Sequence, residues 1–178
     1  MIILLKLYIN DSKLKNDKRF LISDEKGNLK YTVSIDFTSS TLKMDIYDVS
    51  YKKVAKIRKR DILCFTIFTI SCDESLLTNN KVRIVTNLLN VKDYFSMYGV
   101  NWLLRGDILS KNFELIDVDK SVVMYHKRNN YQSNMFYELD IFEKEEKNII
   151  LCICIALCID ILNVNLIGKK INPMNAVD

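Results

Sequence analysis

The 178-residue sequence has very little proline, glycine or histidine, with one Pro, four Gly and one His. So little Pro and Gly, with 49% hydrophobic residues, excludes a disordered chain, a collagen and a Pro-rich or Gly/Ser linker. With one histidine, any Ser/His/Asp or Cys/His catalytic site would have to use His126. A glycine-rich phosphate loop is also lacking, because Gly106 stands alone between Arg105 and Asp107.

Long apolar runs are absent as well. The N-terminal run ends at Lys6, whereas the core of a secretion signal needs about 7–15 apolar residues. Residues 149–159 are all apolar, but a membrane-spanning helix needs about 20 such residues. We therefore expect no secretion signal and no transmembrane span. An odd number of cysteines then favours a reducing cytoplasm, and the abundance of Lys, Asn and Ile suggests a bacterial source.

Most of the chain has the patterns of short β-strands. Residues 29–37 and 42–47 alternate between apolar and polar side chains, which predicts strands with one buried face. Residues 24–28 have turn chemistry, and 43–47 with 52–59 form a second hairpin candidate. Residues 62–70 predict one strand covered on both faces, 73–80 a loop, and 88–98 a strand with a loop. Further strands are predicted at 20–23, 82–86, 100–106, 112–117, 122–127 and 135–142.

The pattern changes after residue 143. A charged stretch leads into the wholly apolar residues 149–159, and Glu145 and Glu146 suit the positive end of a helix. A helix that is apolar on all sides must be surrounded by protein or lipid, and this one is too short to span a bilayer. We predict a core helix over about 145–162, filling a barrel formed by the strands.

Charge is distributed unevenly. Residues 1–60 carry 14 basic and 7 acidic side chains, a net charge of +7, and the rest carries −3. Six of these basic residues form the candidate phosphate- or lipid-binding site: Lys52, Lys53, Lys56, Arg58, Lys59 and Arg60. On a strand Lys56, Arg58 and Arg60 share one face, about 6.6 Å apart. The alternative is a solvated strand face, and the lack of interleaved aromatic residues argues against nucleic acid.

The remaining reactive residue types give no catalytic pattern. His126 is expected to be an exposed or hydrogen-bonded strand residue, and Glu138 and Asp140 a solvated pair. Cys152, Cys154 and Cys158 are interpreted as small apolar residues of the helix rather than metal ligands. Cys64 and Cys72 are too far apart for a zinc knuckle, and polar residues are not expected to cluster. We therefore expect no enzymatic activity, no metal and no cofactor.

A set of short segments along nearly the whole chain carries a family resemblance. They are residues 7–9, 20–28, 42–48, 54–57, Trp102, 105–107, 113–117, 121–127, 136–141 and the apolar 149–160. In this order, with the terminal helix, the chain resembles the LURP-one-related family of tubby-like proteins, kin to the phospholipid scramblases. The resemblance implies a mainly β fold, a closed barrel of about twelve strands around a central hydrophobic C-terminal helix.

The resemblance also bears on function. Tubby relatives bind phosphoinositide headgroups and scramblases are lipid-associated, but no catalytic motif comes with the family. The leading hypothesis is a non-catalytic module that docks on anionic phospholipid or phosphoinositide headgroups through its basic strand face. The alternative is a soluble protein–protein interaction scaffold. We expect a cytoplasmic protein, peripheral at the inner membrane face when docked, with one domain at 1–163 and a tail at 164–178.

Overall fold

The computed structural model describes residues 5–10, 19–36, 41–72, 81–87, 95–108, 110–131, 134–143 and 145–170. In these residues it has twelve β-strands and one α-helix. The strands are β1 Leu5–Asn10, β2 Arg19–Asp24, β3 Leu29–Asp36, β4 Lys43–Asp48, β5 Lys53–Ile62, β6 Phe65–Cys72, β7 Lys81–Asn87, β8 Phe95–Tyr98, β9 Leu103–Asp107, β10 Asn112–Ile116, β11 Val122–Tyr131 and β12 Asn134–Ile141; the helix is α1 Glu146–Lys170.

All twelve strands belong to one antiparallel sheet. Its order is β8-β7-β6-β5-β4-β3-β2-β1-β12-β11-β10-β9, so nearly every strand pairs with its neighbour in sequence. The exceptions among the described strands are β8 and β9, which stand at the two ends of this order, and the long-range pair of β1 with β12, which joins the two halves of the chain. The sheet curls around α1 as a nearly closed barrel, which confirms the predicted fold class.

The helix forms the centre of the core. Every residue from Ile150 to Asp160 is buried, as the wholly apolar run predicted. The strands contribute inward side chains such as Leu7, Ile57 and Phe68, none of which is exposed to solvent. Removing each such aliphatic or aromatic side chain from water stabilises the folded state by about 1.5–3 kcal/mol. Within the described residues, no helix has the length and apolar character needed to cross a membrane.

Aspartates organise the hairpin turns. In the β2–β3 turn, Asp24 Oδ1 accepts hydrogen bonds from the backbone N–H groups of Lys26 and Asn28, and Gly27 takes φ +80°. The side-chain amide of Asn28 binds the same carboxylate at 3.1 Å. Asp48 repeats this arrangement in the β4–β5 turn. The turn chemistry expected at residues 24–28 is thus present.

Several predicted element bounds differ from the structure. Strand β9 begins three residues after the predicted 100, and β11 ends four residues after the predicted 127. Two differences are larger. Residues 62–70 are not one strand, because Leu63 turns the chain with φ +52° and separates β5 from β6. Strand β6 buries alternate side chains only, so one of its faces is open rather than covered. The helix continues beyond the predicted end at 162 to Lys170, since no proline interrupts it before Pro173.

Two predicted segments lie wholly or partly outside the described residues. The loop predicted at 73–80, and residues 88–94 of the segment predicted at 88–98, lie outside the described residues. The division into one domain at 1–163 and a tail at 164–178 stays a prediction.

Candidate functional site

The basic residues of β5 divide between the two faces of the sheet. Ala55 and Ile57 are buried against the core, so their neighbours Lys56, Arg58 and Arg60 lie on the outer face. The sequence therefore located these three correctly on one face, spaced by the two-residue period of a strand.

Strand register adds two more cations. Arg58 of β5 is opposite Thr69 of β6, which in turn is opposite Arg83 of β7. These three residues form one row across the strands. In the next row on the same face, two residues along each strand, Lys56 and Lys81 flank Ser71 in the same way. Because adjacent strands lie about 4.8 Å apart, the two cations of each row are about 10 Å apart at the backbone.

The shorter side chains of β6 thus form a floor between two rows of longer cationic side chains. We call this depression the basic trough; it has a volume of about 880 Å³. Its lining residues are Lys56, Arg58, Arg60, Ile62, Ile67, Thr69, Ser71, Lys81, Arg83, Val85 and Tyr98. A trough of this size lies within the range of about 300–1,000 Å³ that is typical of small-ligand sites.

The five cations of the basic trough have no carboxylate within 4 Å among the residues that the structure describes. Arginine presents a planar fork of N–H donors that matches phosphate, and lysine adds a mobile point charge. Thr69 and Ser71 place hydroxyl groups on the floor between them. The trough therefore has the donor set and the net positive charge that bind an anionic group.

The other three predicted site residues do not line the trough. Lys53 pairs with Asp45 at 3.1 Å, and hydrogen bonding to that carboxylate raises the pKa of Lys53. Lys59 lies on the inward register and binds Asp61 at 2.7 Å. Lys52 lies in the β4–β5 turn, where its backbone N–H is bonded to Asp48. The structure thus brings three of the six together and adds Lys81 and Arg83.

A second group of polar residues is buried at the interface between helix and sheet. We call it the buried polar cluster: Lys111, His126, Tyr137 and Asp160. The Lys111 ammonium donates to Tyr137 Oη at 2.6 Å and is 3.7 Å from Asp160 Oδ1. His126 Nε2 is 3.4 Å from Asp160 Oδ2. The expectation that polar residues would not cluster is therefore wrong.

The environment of His126 indicates a structural role. Its Nδ1 lies 2.8 Å from the carbonyl oxygen of Lys111, which only accepts, so Nδ1 carries a proton. The ring stacks on Phe113 with 4.4 Å between centroids, and the Tyr137 ring lies 5.5 Å away, inclined by 29° to the imidazole. The adjacent cavity measures about 60 Å³. A cavity of that volume is large enough for a water molecule. The cluster ties α1 to β11, to β12 and to Lys111, the residue that precedes β10.

The remaining candidates are accounted for by packing and ion pairing. Glu138 and Asp140 are buried rather than solvated, because Lys6 lies 2.7 Å from Glu138 and Lys127 lies 2.8 Å from Asp140. The hydrogen bond to Glu138 raises the pKa of Lys6.

The three helix cysteines, Cys152, Cys154 and Cys158, are fully buried, and burial raises the pKa of each thiol. They pack as small side chains within the apolar stretch of α1. Across the described part of the chain, no three His, Cys, Asp or Glu side chains group closely enough to hold a metal ion.

Comparison with known proteins agrees with this architecture. A family model described as LURP-one-related matches residues 5–158, from β1 into α1. The chain belongs to the LURP-one-related family. The matched part of this LURP-one-related chain includes all twelve strands, the basic trough and most of the buried part of the helix.

A solved X-ray structure of an Arabidopsis thaliana protein is similar to this LURP-one-related chain. The two share 15% sequence identity with a TM-score of 0.59, over 91% of this chain and 93% of the other. At that identity the similarity concerns the fold alone. A search of curated proteins found no match.

Proposed function

We propose that this chain is a non-catalytic binding module that holds the phosphate groups of anionic phospholipids or phosphoinositides in the basic trough. One observation carries the proposal: five cationic side chains line a trough of about 880 Å³, and none of them has a described carboxylate within 4 Å. Elsewhere on the outer face, basic side chains such as Lys6, Lys53 and Lys127 are paired with carboxylates. The trough is therefore the part of the outer face where we expect an external anion to bind most tightly.

The proposal refines the predicted site. Three of the six predicted residues remain in the site: Lys56, Arg58 and Arg60. Two cations of β7 join them, Lys81 and Arg83. The other three contribute only to the overall positive charge of the protein: Lys52, Lys53 and Lys59. Bound in this way, the protein is peripheral to the inner face of the cytoplasmic membrane. The proposal requires no catalysis, metal or cofactor.

Flotation with vesicles tests the proposal. The wild-type protein should float with phosphatidylserine- or phosphoinositide-containing vesicles, not with pure phosphatidylcholine, and binding should weaken as salt rises. Each basic residue near an anionic bilayer contributes about 1 kcal/mol, so the Arg58→Glu, Arg83→Glu double variant should bind at least about 30-fold more weakly.

A matched control separates the trough from net charge. Lys26 and Lys120 are exposed in hairpin turns outside the trough, and reversing both to Glu changes the net charge by the same amount. If the two double variants weaken binding equally, a specific trough is excluded. If the wild type binds no vesicle, the proposal is wrong and the protein-scaffold alternative becomes the next hypothesis.

A further inference from the structure

The turn between β5 and β6 exposes a run of apolar residues. We call it the apolar tip: Ile62, Leu63, Cys64 and Phe65. Leu63 is 97% exposed and Ile62 50% exposed, and Phe65 remains 38% exposed. Single exposed apolar residues are common on proteins, but consecutive ones at the end of a hairpin form a patch that suits an apolar partner.

The backbone of the apolar tip makes its composition unexpected. Ile62 and Phe65 are paired, so Leu63 and Cys64 form a two-residue hairpin turn. Such turns favour Asn-Gly or Asp-Gly because residues with positive φ are needed. Here Leu63 adopts φ +52°, which is uncommon for a residue other than Gly, Asn or Asp. The chain therefore accepts a conformational cost while presenting a large apolar side chain to solvent.

The apolar tip continues the basic trough along the same face. Ile62 lines the trough, and the next pair along the strands is Arg60 opposite Ile67, followed by Arg58 opposite Thr69. Along this line the trough changes from cationic to apolar as it approaches the tip. At about 3.3 Å per residue, Arg60 lies about 7 Å and Arg58 about 13 Å from Ile62.

These spacings match the layers of a bilayer leaflet. The headgroup region of one leaflet is about 5–8 Å thick, and interfacial segments insert by about 5–10 Å. An apolar tip inserted to that depth brings Arg60 to the level of the phosphates, with Arg58 and Arg83 about 7 Å farther from the acyl chains. The acidic residue nearest the tip, Asp61, is bound to Lys59 at 2.7 Å and accepts from Thr66 at 2.6 Å.

From this arrangement we propose that the apolar tip inserts into the acyl-chain boundary of an anionic bilayer while the basic trough holds the headgroups. The inference rests on the proposed function and specifies that the bound phosphates belong to the lipids of a bilayer. A free inositol phosphate would occupy the trough without using the tip, whereas a bilayer offers an apolar phase next to its phosphates.

Cys64 allows insertion to be measured directly. It is partly exposed, whereas the other four cysteines are buried, so an environment-sensitive thiol probe should label Cys64 alone. With phosphatidylserine vesicles the probe emission should rise and shift to the blue, and lipids brominated on the acyl chains should quench it. Phosphatidylcholine vesicles should have no effect.

The outcomes distinguish insertion from headgroup binding. If the protein floats with anionic vesicles while the probe stays unchanged and unquenched, the inference is wrong and the proposed function stands. If the protein does not float with any vesicle, the proposed function is wrong, and the insertion of the tip that rests on it is wrong as well. A probe response that depends on protein concentration without vesicles would instead assign the tip to self-association and overturn insertion.

A pair of serine variants tests the same inference without a label. Leu63→Ser should weaken binding to phosphatidylserine vesicles by about 10- to 100-fold, the effect of withdrawing one leucine from an apolar phase. Its binding of soluble inositol hexakisphosphate should not change, because the trough cations remain.

The matched control is Val118→Ser. Val118 is 70% exposed in the β10–β11 turn, next to Asp117 and Asp119, and should not influence vesicle binding. Equal losses in the two variants, or a parallel loss of inositol hexakisphosphate binding by Leu63→Ser, would contradict the inference. Thermal unfolding should show both variants folded, because both side chains are exposed.

Discussion

Lysines occur in two opposite settings in this molecule. In the buried polar cluster, Lys111 is enclosed by Tyr137 and Asp160, and its charge is used to join the helix to the sheet. In the basic trough, Lys56 and Lys81 face each other across β6 and have no ion pair with a described carboxylate, since Asp45, opposite Lys56 on β4, pairs with Lys53 instead. Charges that are paired internally hold the fold, and charges left unpaired on the outer face are available to a ligand. Stability and binding should therefore respond to different substitutions.

The largest effect is expected at the centre of the helix. Ile155 is fully buried, so Ile155→Asp would place a carboxylate among apolar side chains with no partner. We expect a loss of more than about 4 kcal/mol in the free energy of unfolding, a large part of the roughly 5–15 kcal/mol that stabilises a typical domain. Circular dichroism and solubility check this. Val118→Asp, at an exposed turn, should be as stable as the wild type, and an Ile155→Asp variant with wild-type stability would refute the core-helix assignment.

A smaller loss is expected from the buried polar cluster. Asp160→Asn removes the carboxylate that faces Lys111 and His126, and leaving a buried charge without its counter-ion costs about 3–5 kcal/mol. Urea unfolding measures the loss. The double variant Asp160→Leu, Lys111→Met should recover part of it, because both buried charges are then removed.

The trough provides the contrasting control. Arg58→Gln should change the free energy of unfolding by no more than about 0.5 kcal/mol, as surface substitutions usually do, while weakening binding to anionic vesicles. A large destabilisation by Arg58→Gln, or an Asp160→Asn variant as stable as wild type, would remove the distinction between the two settings.

The smallest expected effect is a pH dependence at the β2–β3 turn. The side-chain amide of Asn28, with backbone N–H donors, lowers the pKa of Asp24 to about 2. Because the folded value lies below the unfolded one, Asp24 stabilises the fold above about pH 4, and this contribution disappears as pH falls towards 2. Asp24→Ala should therefore lower the urea midpoint more at pH 7 than at pH 2.

The neighbouring Glu25→Ala is the control for this turn. It removes a carboxylate from the same exposed segment and leaves the hydrogen bonds to Asp24 in place. If the urea midpoints of the wild type and Asp24→Ala differ by the same amount at both pH values, the hydrogen bonds to the Asp24 carboxylate are not made in solution.

Local patterns in the sequence predicted those parts of the fold that depend on local chemistry. Alternation placed Lys56, Arg58 and Arg60 on one outer face, and the wholly apolar run identified the buried helix. The break at Leu63 was missed because Leu and Cys have no turn chemistry. What local patterns could not supply was the pairing between distant segments.

The candidate sites show this most clearly. Lys81 and Arg83 alternate with the buried Val82 and Ile84, so their outer position was readable, but their place beside β5 depends on strand register. In the buried polar cluster, Lys111 and Asp160 are 49 positions apart in the sequence. The local signal for that cluster was the aspartate that follows the apolar run of residues 149–159.

The position of β1 between β2 and β12 also governs when the molecule can fold. Leu5 pairs with Ile141, so the pair between β1 and β12 cannot form until β12, the last of the described strands, has left the ribosome. The helix that fills the interior is made later still. Until then the inward faces of the earlier strands have nothing to pack against, and such chains fold slowly and tend to aggregate. Yield in the cell should consequently depend on chaperones that protect the nascent chain.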